Sequence, residues 1–207
     1  MKKQDIKIIK ETLEVLNGQP LRTLGRAGSL IVVDFGEFVE TDMPCDDENG
    51  KLVRDENGRV VYKKGLRGRH SFSVECSMRL TCGSEILLAK SDITLPNTTL
   101  AQTQKNEIDG VEVFDWDNFD WSVRGGNYFD EMVEKYIGDE PFEFIVKKID
   151  VSKFGDVSIV FENHFVLEFF ADGSKGSENW CFYEVGTDPE KSLVVMGDGI
   201  EKDGMEC

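Results

Sequence analysis

The chain has 207 residues, 40% hydrophobic and 31% charged, which excludes a disordered chain and allows one large domain or two small ones, with a core needing no disulfide or metal staple. Forty acidic residues against 24 basic ones give a net charge of −16, a balance that disfavours nucleic acid and anionic membranes and steers basic partners inward. No window approaches the roughly eighteen apolar residues of a membrane span. Asp5, Lys7, Lys10 and Glu11 interrupt the N-terminal stretch, so no signal peptide is read and the expected compartment is the cytoplasm.

Residues 3–16 carry Ile6, Ile9, Leu13 and Leu16 on one stripe and predict an amphipathic helix, stopped by Asn17-Gly18 and Pro20. SLIVVDFG (29–36) predicts a buried strand. DENGKLVR (47–54) and DENGRVVY (55–62) then repeat at a period of eight, and Asn-Gly in both predicts a β-hairpin with tight turns. A calcium loop fails on this stretch because Cys45 would stand at the first oxygen-ligand position. RHSFSVECSMRL (69–80) alternates, with Phe72, Val74, Cys76, Met78 and Leu80 on one face, as a half-buried strand. EILLAKSDITL (85–95) follows and ends at Pro96.

Residues 97–127 read as polar, acidic and irregular, after which Asn127 and Asp130 resemble a cap for a short helix closed by Gly138. From 142 onward the pattern is a β-meander with turns at Phe154-Gly155, Asn163-His164, Asp172-Gly173 and Asp188-Pro189. The two halves share a succession of hydrophobic strand, alternating strand, turn and hydrophobic strand, with Asp92-Ile93 matching Asp198 and Ile200, which suggests a duplicated unit.

The expected fold class is therefore α+β, predominantly antiparallel β. It comprises two β-meander lobes with an N-terminal helix and one short central helix. Residues 1–100 hold the helix and first lobe, 101–140 an acidic aromatic linker with a short helix, and 141–207 the second lobe, a division that a single compact domain can also accommodate.

The stretch FSVECSMR followed by EILLAKSDITLP resembles a widespread family of uncharacterised bacterial proteins. In that family a strand with Cys or a small residue before Trp-Arg precedes an apolar strand closing on Ser-Asp-hydrophobic-x-Pro. Arg79, Ser91, Asp92 and Pro96 match, while Met78 stands where Trp is usual. GDVSIVFEN, Glu178-Asn179-Trp180-Cys181-Phe182 and SLVVMG resemble the family's C-terminal end, with Cys181 where Arg is common. The resemblance implies a bacterial mixed α/β protein without assigned activity, some such proteins being similar to immunity proteins encoded beside secreted toxins.

The chemistry-bearing residues are sparse. Cys45, Cys76, Cys82, Cys181 and Cys207 form no CxxC and no zinc spacing with histidine, so free thiols are expected and no metal or other cofactor is assigned. His70 and His164 are the two histidines, and no GxSxG, P-loop or HExxH is present. Gly-rich pieces near Arg22 and Arg26 lead into a strand, where anion-binding loops lead into a helix. No catalytic residue is named, and the enzyme question leans towards no.

Charge is uneven: residues 105–140 hold eleven acids and three bases, whereas 59–70 hold five bases and no acid. Within this acidic segment lies FDWDNFDW (114–121), whose aromatics keep neither a period of two nor one of 3.6. It reads as a loop pinned by some rings and offering others to a partner. Asp115, Trp116, Asp117, Asp120 and Trp121 are the expected partner-binding residues.

Three functions remain open at this point. The leading one is a non-enzymatic acidic protein-binding module with a basic partner, such as an immunity protein with its toxin. The second is a small-molecule-binding or hydrolytic β-protein with a pocket between the lobes, containing His70 or His164 beside a carboxylate. The third is a structural homo-oligomer.

Overall fold

The computed structural model describes residues 1–47, 51–138, 143–187 and 191–203. The end of the first DENG turn, the Asp188-Pro189 turn, Phe142 and Cys207 lie outside the described residues. Helix α1 (Lys3–Leu13) extends by a 3-10 turn to Leu16, and its Ile9, Leu13 and Leu16 are fully buried. Gly18 then adopts φ +78, which a side chain would strain, and its N–H donates to the Val146 carbonyl at 2.8 Å.

Two antiparallel sheets follow. The first joins β1 (Leu21–Ala27), β2 (Leu30–Pro44), β3 (Tyr62–Val74), β11 (Glu178–Glu184), β12 (Ser192–Met196) and β13 (Ile200–Asp203) in that spatial order. The second has the order β5 (Glu85–Ala89), β4 (Ser77–Cys82), β10 (Phe165–Phe170), β9 (Val157–Phe161), β8 (Val146–Val151). Alternation sends Ile31, Val33, Phe35, Phe72, Val74, Trp180 and Phe182 from one sheet, and Met78, Leu80, Ile159, Leu167 and Phe169 from the other, into one shared core. Phe72 meets Phe169 across it, ring centroids 5.2 Å apart. The Trp180 indole N–H donates to the Gly155 carbonyl at 2.9 Å, so the largest core side chain leaves no orphaned donor. The architecture is thus α+β and predominantly antiparallel, as the alternating runs predict.

The two meanders are present and interleaved. β1, β2 and β3 run as a meander in the first sheet before the chain crosses to β4 and β5 in the second. β8, β9 and β10 run as a meander in the second sheet before the chain crosses back to β11, β12 and β13 in the first. β3 therefore pairs with β11, and β4 with β10. The crossings touch: Glu75 and Cys76 both donate to the Asn179 carbonyl at 2.9 Å, and the Ser77 hydroxyl donates to Asp172 at 2.6 Å. The stretch 69–80, which reads as one strand, is two strands broken at this crossing. Its apolar face stays buried throughout because both sheets face the same core.

β2 and β3 outrun their neighbours. A bulge between Phe35 and Phe38 shifts the register by one residue, and residues 38–44 pair with 62–68 as a two-stranded arm beyond the body of the sheet. At its tip the eight-residue repeat is repeated in structure. Asp47 and Asp55 donate by their N–H groups to Lys51 and Arg59, and their carboxylates accept from the same two residues' N–H groups.

Candidate interaction surface

The acidic segment of the chain is more ordered than its polarity predicts. Asn97 caps helix α2 (Thr98–Thr103), its side chain accepting from Leu100 N–H at 2.7 Å. Thr98 donates from its N–H and its hydroxyl to Glu131, tying α2 to helix α3 (Tyr128–Ile137). Between them stands a hairpin of β6 (Lys105–Ile108) and β7 (Val111–Phe114), turned by Asp109-Gly110 with φ 51 and 81. Positive φ at both turn residues is the geometry that Asp-Gly accepts at little cost, and this dipeptide is the signal that the reading of 97–127 as irregular missed.

FDWDNFDW follows directly. Phe114 closes β7, Trp116–Asn118 form a 3-10 turn, and Phe114, Trp116 and Phe119 pack edge-to-face with centroids 4.8, 5.6 and 6.0 Å apart. The rings form a local cluster outside the main core, with Trp116 57% exposed and Trp121 39% exposed. Asp117 and Asp120 lie on the surface. Asp115 does not share their position: it is buried, its Oδ2 accepting from Asn118 Nδ2 at 2.6 Å. Four of the five expected partner-binding residues thus face solvent and the fifth supports the turn beneath them.

The loop after Trp121 is pinned chiefly by polar groups. Asn127, fully buried, caps α3 by accepting from Asp130 N–H at 2.9 Å and donates to the Trp121 carbonyl at 3.0 Å. Asp130 turns to Arg26 on β1, with Nε–Oδ1 and Nη2–Oδ2 both 2.8 Å, and also accepts from Gly125 N–H. Arg26 adds a bond to the Val123 carbonyl at 3.2 Å. Asp120 is held below the ordinary carboxylate pKa by hydrogen bonds from Ser122, with the Lys51 charge adding to the effect.

The basic run at 59–70 is largely consumed internally. Arg67 binds Asp34 through two bonds of 3.1 and 2.7 Å and also reaches Ser71 and Tyr183. Burial disfavours the Arg67 charge, but the Asp34 hydrogen bonds and charge outweigh it and raise its pKa. Arg69 pairs with Glu37 and Glu184, and Lys64 with Asp42.

The residues that could support a pocket chemistry lie elsewhere and apart. His70 is half-buried, stacked on Phe182 with centroids 5.9 Å apart, and its Nδ1 is buried without a hydrogen-bond partner. Burial lowers its pKa, against the pull of Glu184. His164 sits in the β9–β10 turn with φ 69. Two shallow clefts, of about 390 and 370 Å³, are lined by other residues: one by Met78, Arg79, Ile86 and Phe170, the other by Lys10, Glu14 and Lys147–Val151. In the first, Arg79 is already paired with Glu168 at 2.7 Å and stacked on Phe170. Among the described residues no three His, Cys, Asp or Glu side chains gather as a metal-holding group, and no helix is long and apolar enough to cross a membrane.

No family model matches the chain, and no match was found to a curated protein or a solved structure.

Proposed function

We propose that this chain is a non-enzymatic, acidic protein-binding module that neutralises or regulates a basic partner protein, in the manner of an immunity protein and its toxin. The carrying observation is the exposure of Trp116 and Trp121 beside the surface carboxylates Asp117 and Asp120, with Trp116 packed on Phe114 and Phe119 and the Trp121 carbonyl held by Asn127. Exposed tryptophans supply contact area, carboxylates orient a basic partner, and a pinned loop loses little entropy on binding. The internal pairing of Arg67, Arg69 and Lys64 leaves the acidic face as the counterweight to a basic partner. The immunity manner rests on the family resemblance of residues 72–96 and 155–197.

The test is co-expression with the product of the adjacent gene, followed by purification at low and high salt. A basic protein that co-purifies at low salt and dissociates as salt rises supports the reading. If that product is neither toxic nor retained at low salt, the reading falls.

A further inference from the structure

The second sheet ends at β8, and the outer edge of that strand is only partly used. The register with β9, anchored by the Ser152 N–H bond to the Asp156 carbonyl, turns the main-chain groups of Lys148 and Asp150 towards β9 and those of Ile149 and Val151 away from it. At its start the edge already holds an extended segment. Gly18 N–H donates to the Val146 carbonyl at 2.8 Å, Val146 N–H donates to the Gln19 carbonyl at 2.9 Å, and Pro20 bridges Ile145 in antiparallel sense. That pairing stops at Asn17, where the chain leaves the 3-10 end of α1. Among the described residues no main chain pairs with the outer edge at Ile149 or Val151. A cleft of about 370 Å³, lined by Lys10, Glu14, Asn17 and residues 147–151, opens beside them.

We infer that this edge is a docking strand for an acidic peptide segment of another protein, which adds to β8 in extended conformation and continues the pairing that residues 18–20 begin. Ile149 and Val151 each offer it an N–H donor and a carbonyl acceptor, and main-chain bonds of this kind are what holds an added strand. The charge of the cleft selects the segment. Lys148 is paired with Asp150 at 2.6 Å, which leaves the exposed Lys10 and Lys147 against Glu14 alone. A positive excess is thus set beside the open edge on a chain of net charge −16. Lysines at a sheet edge repel a basic strand, and a second copy of β8 with it, but admit an acidic one. The open stretch is short, so the contact is weak and reversible.

Fluorescence anisotropy of the labelled peptide Glu-Val-Glu-Val-Glu titrated with the whole chain tests this, together with amide hydrogen exchange of the complex read by NMR. The expected result is binding that weakens as salt rises, with slower exchange at the Ile149 and Val151 amides. Lys10→Glu combined with Lys147→Glu, both at exposed positions, should weaken it at least about tenfold with unchanged circular dichroism. The peptide Lys-Val-Lys-Val-Lys should leave both amides exchanging as in the free chain. Absence of binding at about 1 mM acidic peptide overturns the inference. So does binding that leaves both amides unprotected, binding that the double variant retains in full, or equal protection of the two amides by the basic peptide. The proposed function concerns basic partners of residues 116–121, so its test and this one fail independently.

Discussion

Arg26 and Asp130, 104 residues apart, meet in a two-point ion pair with side chains only 6% and 14% exposed. The pair joins the first β-strand to the helix behind the acidic loop, and Asp130 in addition holds Gly125 N–H. Removing one partner strands a largely desolvated charge, so Asp130→Ala should cost about 3 kcal/mol in urea unfolding. Hydrogen exchange should accelerate selectively in residues 121–126. Asp130→Asn, which keeps an acceptor for Gly125, should fall between the variant and the parent.

The surface carboxylates should behave differently. Replacing Asp117 and Asp120 by Asn should change stability by no more than about 0.5 kcal/mol, since both are exposed. The same double variant should bind a basic partner more slowly and with a shallower salt dependence, measured by stopped-flow tryptophan fluorescence. Asp115→Ala should instead disturb the Trp116–Asn118 turn, because it removes the acceptor of Asn118, and should shift the emission of the free protein.

Cys76 should be inert in the folded chain. Burial, reinforced by the nearby Asp172 charge, pushes its thiol up to about 12, so almost no thiolate exists at neutral pH. Reaction with a thiol reagent should modify Cys76 only after denaturant is added, whereas the partly exposed Cys45, Cys82 and Cys181 should react first.

His70 should make stability fall at mildly acidic pH. Burial lowers its folded pKa from 6.5, so just below that value the unfolded chain takes up a proton that the folded chain refuses. The unfolded state then binds more protons, and stability declines as pH drops through that window and is unaffected above it. Comparing urea midpoints near about pH 7.5 and about pH 5.5, His70→Asn should lose less than the parent does.

Much of this was legible from local pattern. The stripe of Ile9, Leu13 and Leu16 became the buried face of α1. Asn127 capped α3 as its spacing with Asp130 suggested. The β-meanders were visible because alternation survives wherever one face of a strand meets the core. What pattern could not show was contact between distant segments. Phe72 to Leu80 alternates without interruption, yet the chain changes sheets at Glu75-Cys76. Asp115, Asp117 and Asp120 look equivalent in sequence, and only the turn geometry buries the first of them. Arg26 had no role assigned from the sequence; its role is set by Asp130, which no spacing rule connects to it.

The paired crossings at Glu75–Ser77 and Asp172–Asn179 also govern the order in which the chain can be built. β3 and β4 find their central neighbours only in β11 and β10, so during synthesis the first half waits with Phe72, Val74 and Leu80 uncovered until the last quarter emerges. Such distant pairings make folding slow and leave the nascent first half open to aggregation. A chain cut within the exposed β6–β7 hairpin should therefore yield two fragments, each insoluble alone and recovered as one soluble species only when made together.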